Sequence, residues 1–233
     1  TGASGLIGSR IAQDLSNAGH IVRLGSRNSN LAVPRNQELA PLDWNCKASL
    51  FEACQGMDAV VHAAGMNAKE CADNPLGALE FNGLSSARLA QAANRAGVSR
   101  LLYFSTAHVY ANPLAGVFSE DNCPQNLHPY ASSHLAGEYA TRYAGQLSGM
   151  QVCVLRLSNA VGSPLNSNAN CWGLLANDLC RQIFQHGSMQ LATNGSQWRN
   201  FIPLTAVGGS NNYSVKTSNP TTTKYSTFSS CDK

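Results

Sequence analysis

The chain opens with a glycine-rich turn, which restricts its fold more than any other feature. Residues 1–8 read TGASGLIG, a TGxxGxxG pattern, and apolar residues then recur at helical spacing until Gly19. In such a turn Gly2 permits the sharp bend, Gly5 lets the backbone approach a pyrophosphate, and Gly8 lets the helix pack closely. The free N–H groups at the helix N-terminus suit a phosphate group. A purely structural glycine turn is the alternative interpretation.

Short apolar segments alternate with helical patterns along most of the chain. This alternation predicts an α/β fold of parallel βαβ units, wound right-handedly into an open sheet. After residue 163 the pattern changes, and the last 25 residues are so polar that we expect a solvated edge or a disordered tail. The predicted strands lie at residues 21–24, 39–44, 58–65, 101–105, 152–157 and 198–204, and the predicted helices at 7–18, 76–96, 130–148 and 172–185.

The composition is that of a folded domain without a nucleic-acid surface. Only 12% of the 233 residues are charged and 43% are hydrophobic, which argues against a disordered chain or a coiled coil. The formal net charge is +3, and the Lys and Arg residues stand singly, so no run could follow a phosphate backbone. No apolar run approaches the roughly 18 residues that span a bilayer. We therefore expect neither a nucleic-acid partner nor a membrane segment.

The eight cysteines indicate a reducing compartment. No two of them form a CxxC pair, and several lie inside apolar runs, so buried free thiols account for them better than a disulfide framework. The start of the chain also lacks the basic and apolar segments of a signal peptide. These features predict a cytoplasmic protein. The histidines have no metal-binding spacing, and we predict no metal site.

The tip of the strand that follows the first helix distinguishes between the two nicotinamide dinucleotides. NAD enzymes usually carry an acid there, which binds the adenine ribose. Here the position is held by Ser26 with Arg27 beside it, so a 2′-phosphate would meet a cation. The pattern favours NADP over NAD, with a solvated surface arginine as the alternative. Asp43, at the end of the next predicted strand, is placed to accept from the adenine amino group or to cap the following helix.

Two segments carry the side chains that suit catalysis. The sequence STAHVY at 105–110 follows a strand, and open α/β sheets bind ligands at the carboxyl ends of their strands. Tyr130 and His134 share one face of a predicted helix, where a tyrosine can exchange a proton with a carbinol oxygen. Thr106 and Tyr130 are alternatively ordinary core or capping residues. In company with a nucleotide turn they indicate hydride transfer at an alcohol carbon.

Several motifs occur in order along residues 1–204: TGASGLIG, VVHAAG, FNGLSSARLAQAANRAGVSRLLYFST followed by HVY, SEDNCPQNLHPYASSHLAGE, VLRLSNAVGSP and NGSQWRNFI. Together they resemble the extended short-chain dehydrogenase/reductases, in the NAD(P)-dependent epimerase/dehydratase group. The resemblance implies a Rossmann-type doubly wound parallel sheet over residues 1–163 and a small, incomplete substrate domain over 164–233. It also implies a nucleotide-diphosphate sugar as substrate. Members often form a homodimer through two helices, here placed at 79–96 and 130–148.

The resemblance also assigns roles to individual residues. Thr106 and Tyr130 match the catalytic hydroxyl pair, and His134 stands where the family has the lysine of YxxxK. The implied substrate-binding residues are Thr106, His108, Asn159 and Arg199, of which the last two hold the diphosphate. The implied cofactor-binding residues are Gly2, Ser4, Gly5, Leu6, Ile7, Gly8, Ser26, Arg27, Asp43, Trp44, Ala63, Ala64, Gly65, Asn82, Tyr130 and His134.

These observations predict an NADP- or NAD-dependent enzyme that oxidises and reduces a nucleotide sugar. Tyr130, as the phenolate, would remove a hydroxyl proton while Thr106 holds the oxygen on which charge changes. An epimerase would return the hydride to the other face, whereas a reductase would stop after one transfer. The alternative is a protein of the same fold that binds the dinucleotide but has lost catalysis, which His134 favours.

Overall fold

The computed structural model describes residues 1–208 and 225–226, along which strands and helices alternate. Within these residues no helix is long and apolar enough to cross a membrane. A π-helical turn (Leu79–Ser85) and a 3₁₀ turn (Ala107–Val109) are present, and residues 204–208 are also helical. The strands are β1 (Val22–Ser26), β2 (Gln37–Pro41), β3 (Ala59–His62), β4 (Arg100–Thr106), β5 (Gln151–Leu157), β6 (Asn159–Val161), β7 (Phe201–Pro203) and β8 (Tyr225–Ser226). The helices are α1 (Leu6–Asn17), α2 (Lys47–Cys54), α3 (Ala68–Asp73), α4 (Pro75–Ala78), α5 (Ser86–Arg95), α6 (Pro129–Ser148) and α7 (Leu175–His186).

The described strands pair in parallel, as the alternation of elements predicted. β3, β4, β5 and β8 form one sheet in that order, β1 pairs with β2, and β6 pairs with β7. Thr1 lies between β1 and β3. Its backbone nitrogen donates to the Val61 carbonyl at 2.6 Å, and its carbonyl accepts from the Ala63 N–H at 3.4 Å. A Cβ added to Gly25 of β1 would lie 3.3 Å from the Thr1 methyl group, so Thr1 brings β1 and β3 together.

Two apolar clusters cover the two faces of the central sheet. Leu101 of β4 packs with Leu50 of α2 and Leu89 of α5. The next residue, Leu102, packs in a second cluster with Ile11 of α1. Because successive residues of a strand point to opposite faces, helices must lie on both sides of the sheet, and both faces of β4 are apolar. This arrangement confirms the Rossmann-type doubly wound parallel sheet.

The structure corrects several predicted boundaries. The helix predicted over 76–96 consists of α4, the π-helical turn and α5, because apolar spacing alone does not reveal where backbone hydrogen bonds shift from i−4 to i−5. The strand predicted over 39–44 is β2, which ends at Pro41. The strand predicted over 198–204 is reduced to β7. Both α3 and β6 are short elements that the periodicity did not predict.

The polar tail, residues 209–233, lies outside the described residues except for Tyr225 and Ser226. These two residues form β8 and pair in parallel with Val154 and Leu155 of β5. For this pair disorder is the wrong alternative, because its backbone groups pair with β5; the edge alternative agrees with the structure, since β8 is an edge strand of the described sheet.

The cysteines that the structure describes are free thiols of mixed exposure. Cys54, Cys71 and Cys171 are buried, as expected. Three others, at positions 46, 123 and 180, are exposed, so burial explains only part of the cysteine content. Cys231 lies outside the described residues.

A buried ion pair joins α6 to β5 and β4. Glu138 is 1% exposed and Arg156 is 4% exposed. Arg156 Nη2 donates to Glu138 Oε2 at 2.6 Å, and Arg156 Nη1 donates to the Tyr110 hydroxyl at 2.8 Å. Ser105 Oγ donates to Glu138 Oε1 at 2.5 Å. Since Ser105 immediately precedes Thr106, this network ties the end of β4 to the helix that carries Tyr130.

The buried pair predicts a specific pattern of stabilities. Glu138→Leu leaves the Arg156 charge buried without its carboxylate, and we expect a loss of about 3–5 kcal/mol in the free energy of unfolding. The double variant Glu138→Leu/Arg156→Met removes both charges and should recover most of that loss. Urea denaturation measures both, with Lys69→Ala, in an exposed ion pair with Asp73, as the control that should unfold like the wild type. A double variant as unstable as the single one would contradict this account.

Candidate active site

A pocket of about 1010 Å³ opens at the carboxyl ends of the parallel strands. Its walls include Ser26 at the end of β1, Gly65 after β3, Thr106 at the end of β4 and Ser158 after β5. Open parallel sheets bind ligands at this edge. The predicted site residues that line the pocket are Gly2, Ser4, Gly5, Leu6, Ile7, Gly8, Ser26, Arg27, Trp44, Ala63, Ala64, Gly65, Thr106, His108, Tyr130, His134, Asn159 and Arg199.

The glycine turn forms a cradle that side chains would fill. Gly2 has a φ of +74°, and a Cβ there would lie 2.7 Å from the Ala63 carbonyl group. A Cβ on Gly8 would lie 2.2 Å from the Gly2 oxygen. Helix α1 begins at Leu6 with Gly5 as its N-cap, and neither a capping side chain nor an acid occupies its first turn. The N–H groups of that turn therefore face the pocket and fit a pyrophosphate.

The arginine predicted to discriminate between dinucleotides stands at the rim of the pocket. Arg27 is exposed, and its guanidinium lies over the Phe81 ring at 5.4 Å from the centroid. Phe81 in turn packs edge-on against Trp44 at 5.3 Å. Ser26 Oγ accepts from the Asn28 N–H at 3.0 Å. This aromatic support orients the cation beside the end of β1, where the adenine ribose of a dinucleotide is bound in this fold.

Asp43 does not line the pocket. Its carboxylate accepts from the Asn45 N–H at 2.9 Å, within the turn after β2. Helix α2 begins at Lys47 with Cys46 as its N-cap, so Asp43 is not the helix cap either. The sequence placed the Asp43 carboxylate near an adenine, at the end of a strand. Because β2 ends at Pro41 and not at residue 44, Asp43 lies instead in the exposed turn and bonds the backbone of that turn.

Asn82 lies behind the pocket wall and is 1% exposed. Its Oδ1 accepts from the Met66 N–H at 2.8 Å, and its Nδ2 donates to Ser133 Oγ at 3.0 Å. The Cys71 thiol also accepts from Nδ2, at 3.5 Å. Asn82 therefore fixes the segment after Gly65 against α6 and shapes the pocket from behind.

The three predicted catalytic side chains converge. Thr106 ends β4, and Tyr130 and His134 lie in the first turns of α6. The Tyr130 phenol and the Thr106 hydroxyl both line the pocket. Burial raises the pKa of Tyr130, and the influence of the Thr106 hydroxyl partly offsets that rise. The phenol is therefore protonated at neutral pH.

His134 differs from a lysine in charge as well as in shape. It is 6% exposed, and its ring packs edge-on against Tyr130 with 4.7 Å between centroids. Burial lowers the pKa of His134 to about 4. The imidazole is thus neutral at pH 7 and gives Tyr130 no positive charge to stabilise a phenolate.

The short pair β6 and β7 builds the opposite wall. Asn159 Nδ2 donates to the Asn200 carbonyl at 2.9 Å, and Ser158 Oγ donates to Asn200 Oδ1 at 2.9 Å. Asn200 thus joins the two strands through its backbone carbonyl and its side-chain amide. Asn159 lines the pocket while its side chain supports the neighbouring strand.

Arg199 and His108 lie on the same side of the pocket. Arg199 is exposed, and its Nη2 donates to Gln197 Oε1 at 2.8 Å. Burial, followed by the nearby charge of Arg199, lowers the pKa of His108. Among the lining residues within the described ranges, Arg27 and Arg199 are the cations and Asp178 is the anion. No cluster of three metal-ligating side chains occurs in that part of the chain.

Sequence reasoning missed an asparagine-rich segment that reaches across the pocket. Asn166 Nδ2 donates to the Ser4 carbonyl at 3.2 Å, and Asn170 Nδ2 donates to Glu70 Oε1 at 3.2 Å. The run NSNANC after β6 was the available signal, because repeated carboxamides in a loop can bond backbone groups of distant elements. Phe81, beneath Arg27, was missed as well.

Comparisons with known proteins agree with this geometry. The model of the NAD dependent epimerase/dehydratase family matches residues 1–204. A UDP-glucose 4-epimerase of Azospirillum brasilense is 31% identical over 169 residues, which cover 70% of this chain and 49% of the relative. A uronate dehydrogenase of Pseudomonas syringae pv. tomato is 25% identical over 185 residues, covering 78% of this chain and 66% of the relative.

Solved structures share the fold. The structure of MoeE5 in complex with UDP-glucose and NAD has a TM-score of 0.86 at 23% identity, covering 98% of this chain and 74% of MoeE5. The UDP-glucose 4-epimerase of Thermus thermophilus, in complex with NAD, has a TM-score of 0.82 at 21% identity, covering 99% and 76%. The present chain spans about half the length of its epimerase relatives. With a glycine cradle, a Thr–Tyr pair and a family match over residues 1–204, this chain belongs to the NAD dependent epimerase/dehydratase family.

Proposed function

We propose that this protein uses a nicotinamide dinucleotide to oxidise and reduce a nucleotide-diphosphate sugar, with Tyr130 as the proton-transferring group. The convergence of Thr106, Tyr130 and the glycine cradle in one pocket carries the proposal. Relatives named UDP-glucose 4-epimerase support the substrate class. Residues 1–163 would hold the dinucleotide, and residues 164–233 would contribute part of the substrate site.

The residues of the cradle fit the dinucleotide and would orient it. The N–H groups at the start of α1 would bind its pyrophosphate, and Arg27 would bind a 2′-phosphate, which favours NADP over NAD. His134 would hydrogen-bond the ribose next to the nicotinamide. When bound, the dinucleotide would supply hydride transfer at the carbinol carbon of the sugar.

The hydroxyl pair would control the proton. Tyr130 Oη would take the proton of the sugar hydroxyl during oxidation and return it during reduction, while Thr106 Oγ1 holds the same oxygen. The raised pKa of Tyr130 suits the acid role at neutral pH and makes the base role depend on higher pH. Arg199 and Asn159 would hold the diphosphate of the sugar, since a guanidinium forms bidentate bonds to phosphate oxygens.

A second proposal concerns binding without turnover. The neutral imidazole of His134 removes the fixed charge that would assist Tyr130, so the pocket would bind a dinucleotide while chemistry is slow or lost. This alternative differs from the first proposal only in the rate of hydride transfer. Both require the glycine cradle and Arg27.

We also propose a homodimer that is formed by α6 and the helical segment beside it. Tyr139, Tyr143 and Leu147 form a stripe with i, i+4, i+8 spacing on α6 and are between 56% and 66% exposed. Helix α6 packs against α4 and the π-helical turn, where Leu76 and Leu79 are also exposed. Such an apolar face on two adjacent helices suits a self-complementary contact about a two-fold axis.

The activity test compares a lysine at position 134 with the wild type. With either dinucleotide and UDP-glucose, we expect slow wild-type turnover with a pH optimum above neutral, measured by nicotinamide absorbance. His134→Lys should turn over faster at pH 7, because each unit by which an ammonium lowers the Tyr130 pKa increases the phenolate about tenfold. Tyr130→Phe should lose about 10²-fold or more in either background.

His186→Lys adds the same charge at the exposed end of α7 and serves as the control for that comparison. A fast wild type with a neutral optimum would contradict the electrostatic argument. Dinucleotide binding without turnover, in both the wild type and His134→Lys, would support the binding-only alternative.

Cofactor preference is tested at Arg27. Arg27→Ala should weaken NADP binding by about 10- to 100-fold and leave NAD binding unchanged, because a charge-assisted hydrogen bond to a phosphate contributes about 1.5–3 kcal/mol. Calorimetric titration with each dinucleotide measures both constants. Arg95→Ala removes a similar arginine, which stacks on Phe51 at 5.7 Å outside the pocket, and is the matched control. If Arg27→Ala weakened the binding of NAD and NADP equally, Arg27 would not bind the 2′-phosphate.

The dimer is tested by placing a charge on its proposed face. Analytical ultracentrifugation should give a dimer for the wild type and a monomer for Tyr143→Asp, since a buried carboxylate without a partner is costly. Phe184→Asp changes another exposed aromatic, on α7, and should leave the dimer intact. A monomeric wild type at micromolar concentration would rule out the proposal.

A further inference from the structure

Two buried histidines are linked through the backbone carbonyl of Asn82. His62 is 2% exposed and His134 is 6% exposed. The Asn82 carbonyl accepts from Ser86 Oγ at 2.6 Å and from the Tyr103 hydroxyl at 3.4 Å. Ser86 contacts His62, and Tyr103 contacts His134. The direction of each hydrogen bond in this chain determines which ring nitrogen carries a proton.

The hydrogen positions at His62 follow from Ser86. The single hydrogen of Ser86 Oγ is donated to the Asn82 carbonyl. Its oxygen must therefore accept from His62 Nε2, which lies 2.9 Å away. His62 Nδ1 then carries a lone pair and accepts from Thr1 Oγ1 at 2.8 Å. Burial lowers the pKa of His62 to about 3, so His62 is the neutral Nε2–H tautomer.

The Tyr103 hydroxyl occupies a notch in α6. A Cβ on Gly137 would lie 2.3 Å from the Tyr103 oxygen, so only glycine admits the phenol at this depth. The hydroxyl lies 3.4 Å from the Asn82 carbonyl oxygen, 3.3 Å from the His134 carbonyl oxygen and 3.3 Å from His134 Nδ1.

One phenol hydrogen has to serve these neighbours. If the phenol hydrogen pointed to His134 Nδ1, the lone pairs of the phenol oxygen would face the carbonyl oxygens of Asn82 and His134 with no hydrogen between them. If the phenol hydrogen points to one of these carbonyl oxygens, His134 Nδ1–H donates to the phenol oxygen. The phenol hydrogen and the Nδ1 hydrogen then both have acceptors. Buried polar groups adopt the arrangement that satisfies them.

We propose that Tyr103 is a positioning residue that holds His134 as the neutral Nδ1–H tautomer and so presents the Nε2 lone pair to the pocket. The Cε1–Nε2 edge of the ring lies beside Gly65, where an added Cβ would be 3.5 Å from Nε2. Gly65 and His134 both line the pocket. Nε2 is therefore an acceptor.

This tautomer selects the chemistry of the group that His134 binds. A lysine at this position can only donate hydrogen bonds, whereas the Nε2 lone pair accepts one. The partner must be a hydroxyl or an amide N–H. Resting on the proposed function, the partner is a ribose hydroxyl of the dinucleotide, which would donate to His134 Nε2. The tautomer itself is set within the protein and does not depend on any ligand.

Nitrogen NMR on protein labelled with ¹⁵N-histidine tests the tautomer without ligand or turnover. Protonated and bare ring nitrogens have well-separated ¹⁵N shifts, and long-range ¹H–¹⁵N correlations identify both nitrogens of each ring. We expect His134 with the proton on Nδ1 and His62 with the proton on Nε2, so the two buried rings give opposite patterns in one spectrum. A His134 that carries its proton on Nε2, or is doubly protonated at pH 7, would overturn the proposal.

Two variants test whether the Tyr103 hydroxyl, and not only the packing of its ring, determines the tautomer of His134. Tyr103→Phe removes the acceptor for Nδ1–H, and the ratio of Nδ1–H to Nε2–H at His134 should fall about fivefold, the equivalent of one hydrogen bond. Gly137→Ala displaces the hydroxyl without removing it and should shift His134 in the same direction. The exposed Tyr143→Phe is the control, and the His62 pattern should persist in all three. An unchanged His134 ratio in both test variants would also overturn the proposal.

Dinucleotide titration then tests the partner separately. Adding NADP should shift the ¹⁵N resonance of His134 Nε2 and leave that of His62 Nδ1 unchanged. If calorimetry shows that NADP binds but the His134 resonance does not respond, the ribose assignment is wrong. If NADP does not bind at all, the proposed function fails while the tautomer result stands.

Discussion

The close approach of the glycine turn to β3 governs the shape of the whole pocket. A Cβ at Gly8 would lie 2.2 Å from the Gly2 oxygen, and one at Gly2 would lie 2.7 Å from the Ala63 carbonyl. No side chain fits at either position, so the turn, the start of α1 and the end of β3 pack backbone against backbone. That contact leaves the N–H groups of α1 exposed to the pocket, which makes this edge of the sheet suitable for phosphate.

The buried titratable groups near this edge of the sheet differ in their charge. Glu138 and Arg156 remain paired in the core, because each supplies the hydrogen bonds that compensate the other for lost hydration. Burial instead lowers the pKa of His62 and of His134, so both rings are neutral. The hydroxyl pair of Thr106 and Tyr130 therefore sits near a buried ion pair that is already neutralised, and beside an imidazole that adds no charge. In the proposed function, proton transfer in this pocket would depend on hydrogen-bond direction more than on a fixed cation.

The position of residues within continuous motifs could be predicted from the sequence. The position of residues whose contacts depend on spatial neighbours from other segments could not. Thr106 and Tyr130 met as expected, because a strand end and the next helix start adjoin at one edge of a parallel sheet. Asp43 did not line the pocket, since β2 ends at Pro41 and the turn uses the carboxylate. Asn82 was expected at the cofactor but supports the wall from behind. The π-helical turn that carries it has no signature in apolar spacing.

The amino-acid sequence was sufficient to establish the α/β class and the parallel sheet, and to predict that the glycine turn and the hydroxyls of Thr106 and Tyr130 meet in one pocket. Each depends on local rules: glycine where a Cβ cannot fit, apolar periods of two or 3.6 residues, and a polar side chain at a strand end. Contacts between segments far apart in the chain emerged only from the folded structure. Asn166 reaches Ser4, Arg27 stacks on Phe81, and Tyr103 enters the notch at Gly137. Such contacts depend on the relative position and rotation of packed elements. The hydrophobic pattern of the sequence does not determine that geometry, whereas close packing of the side chains in the folded protein does.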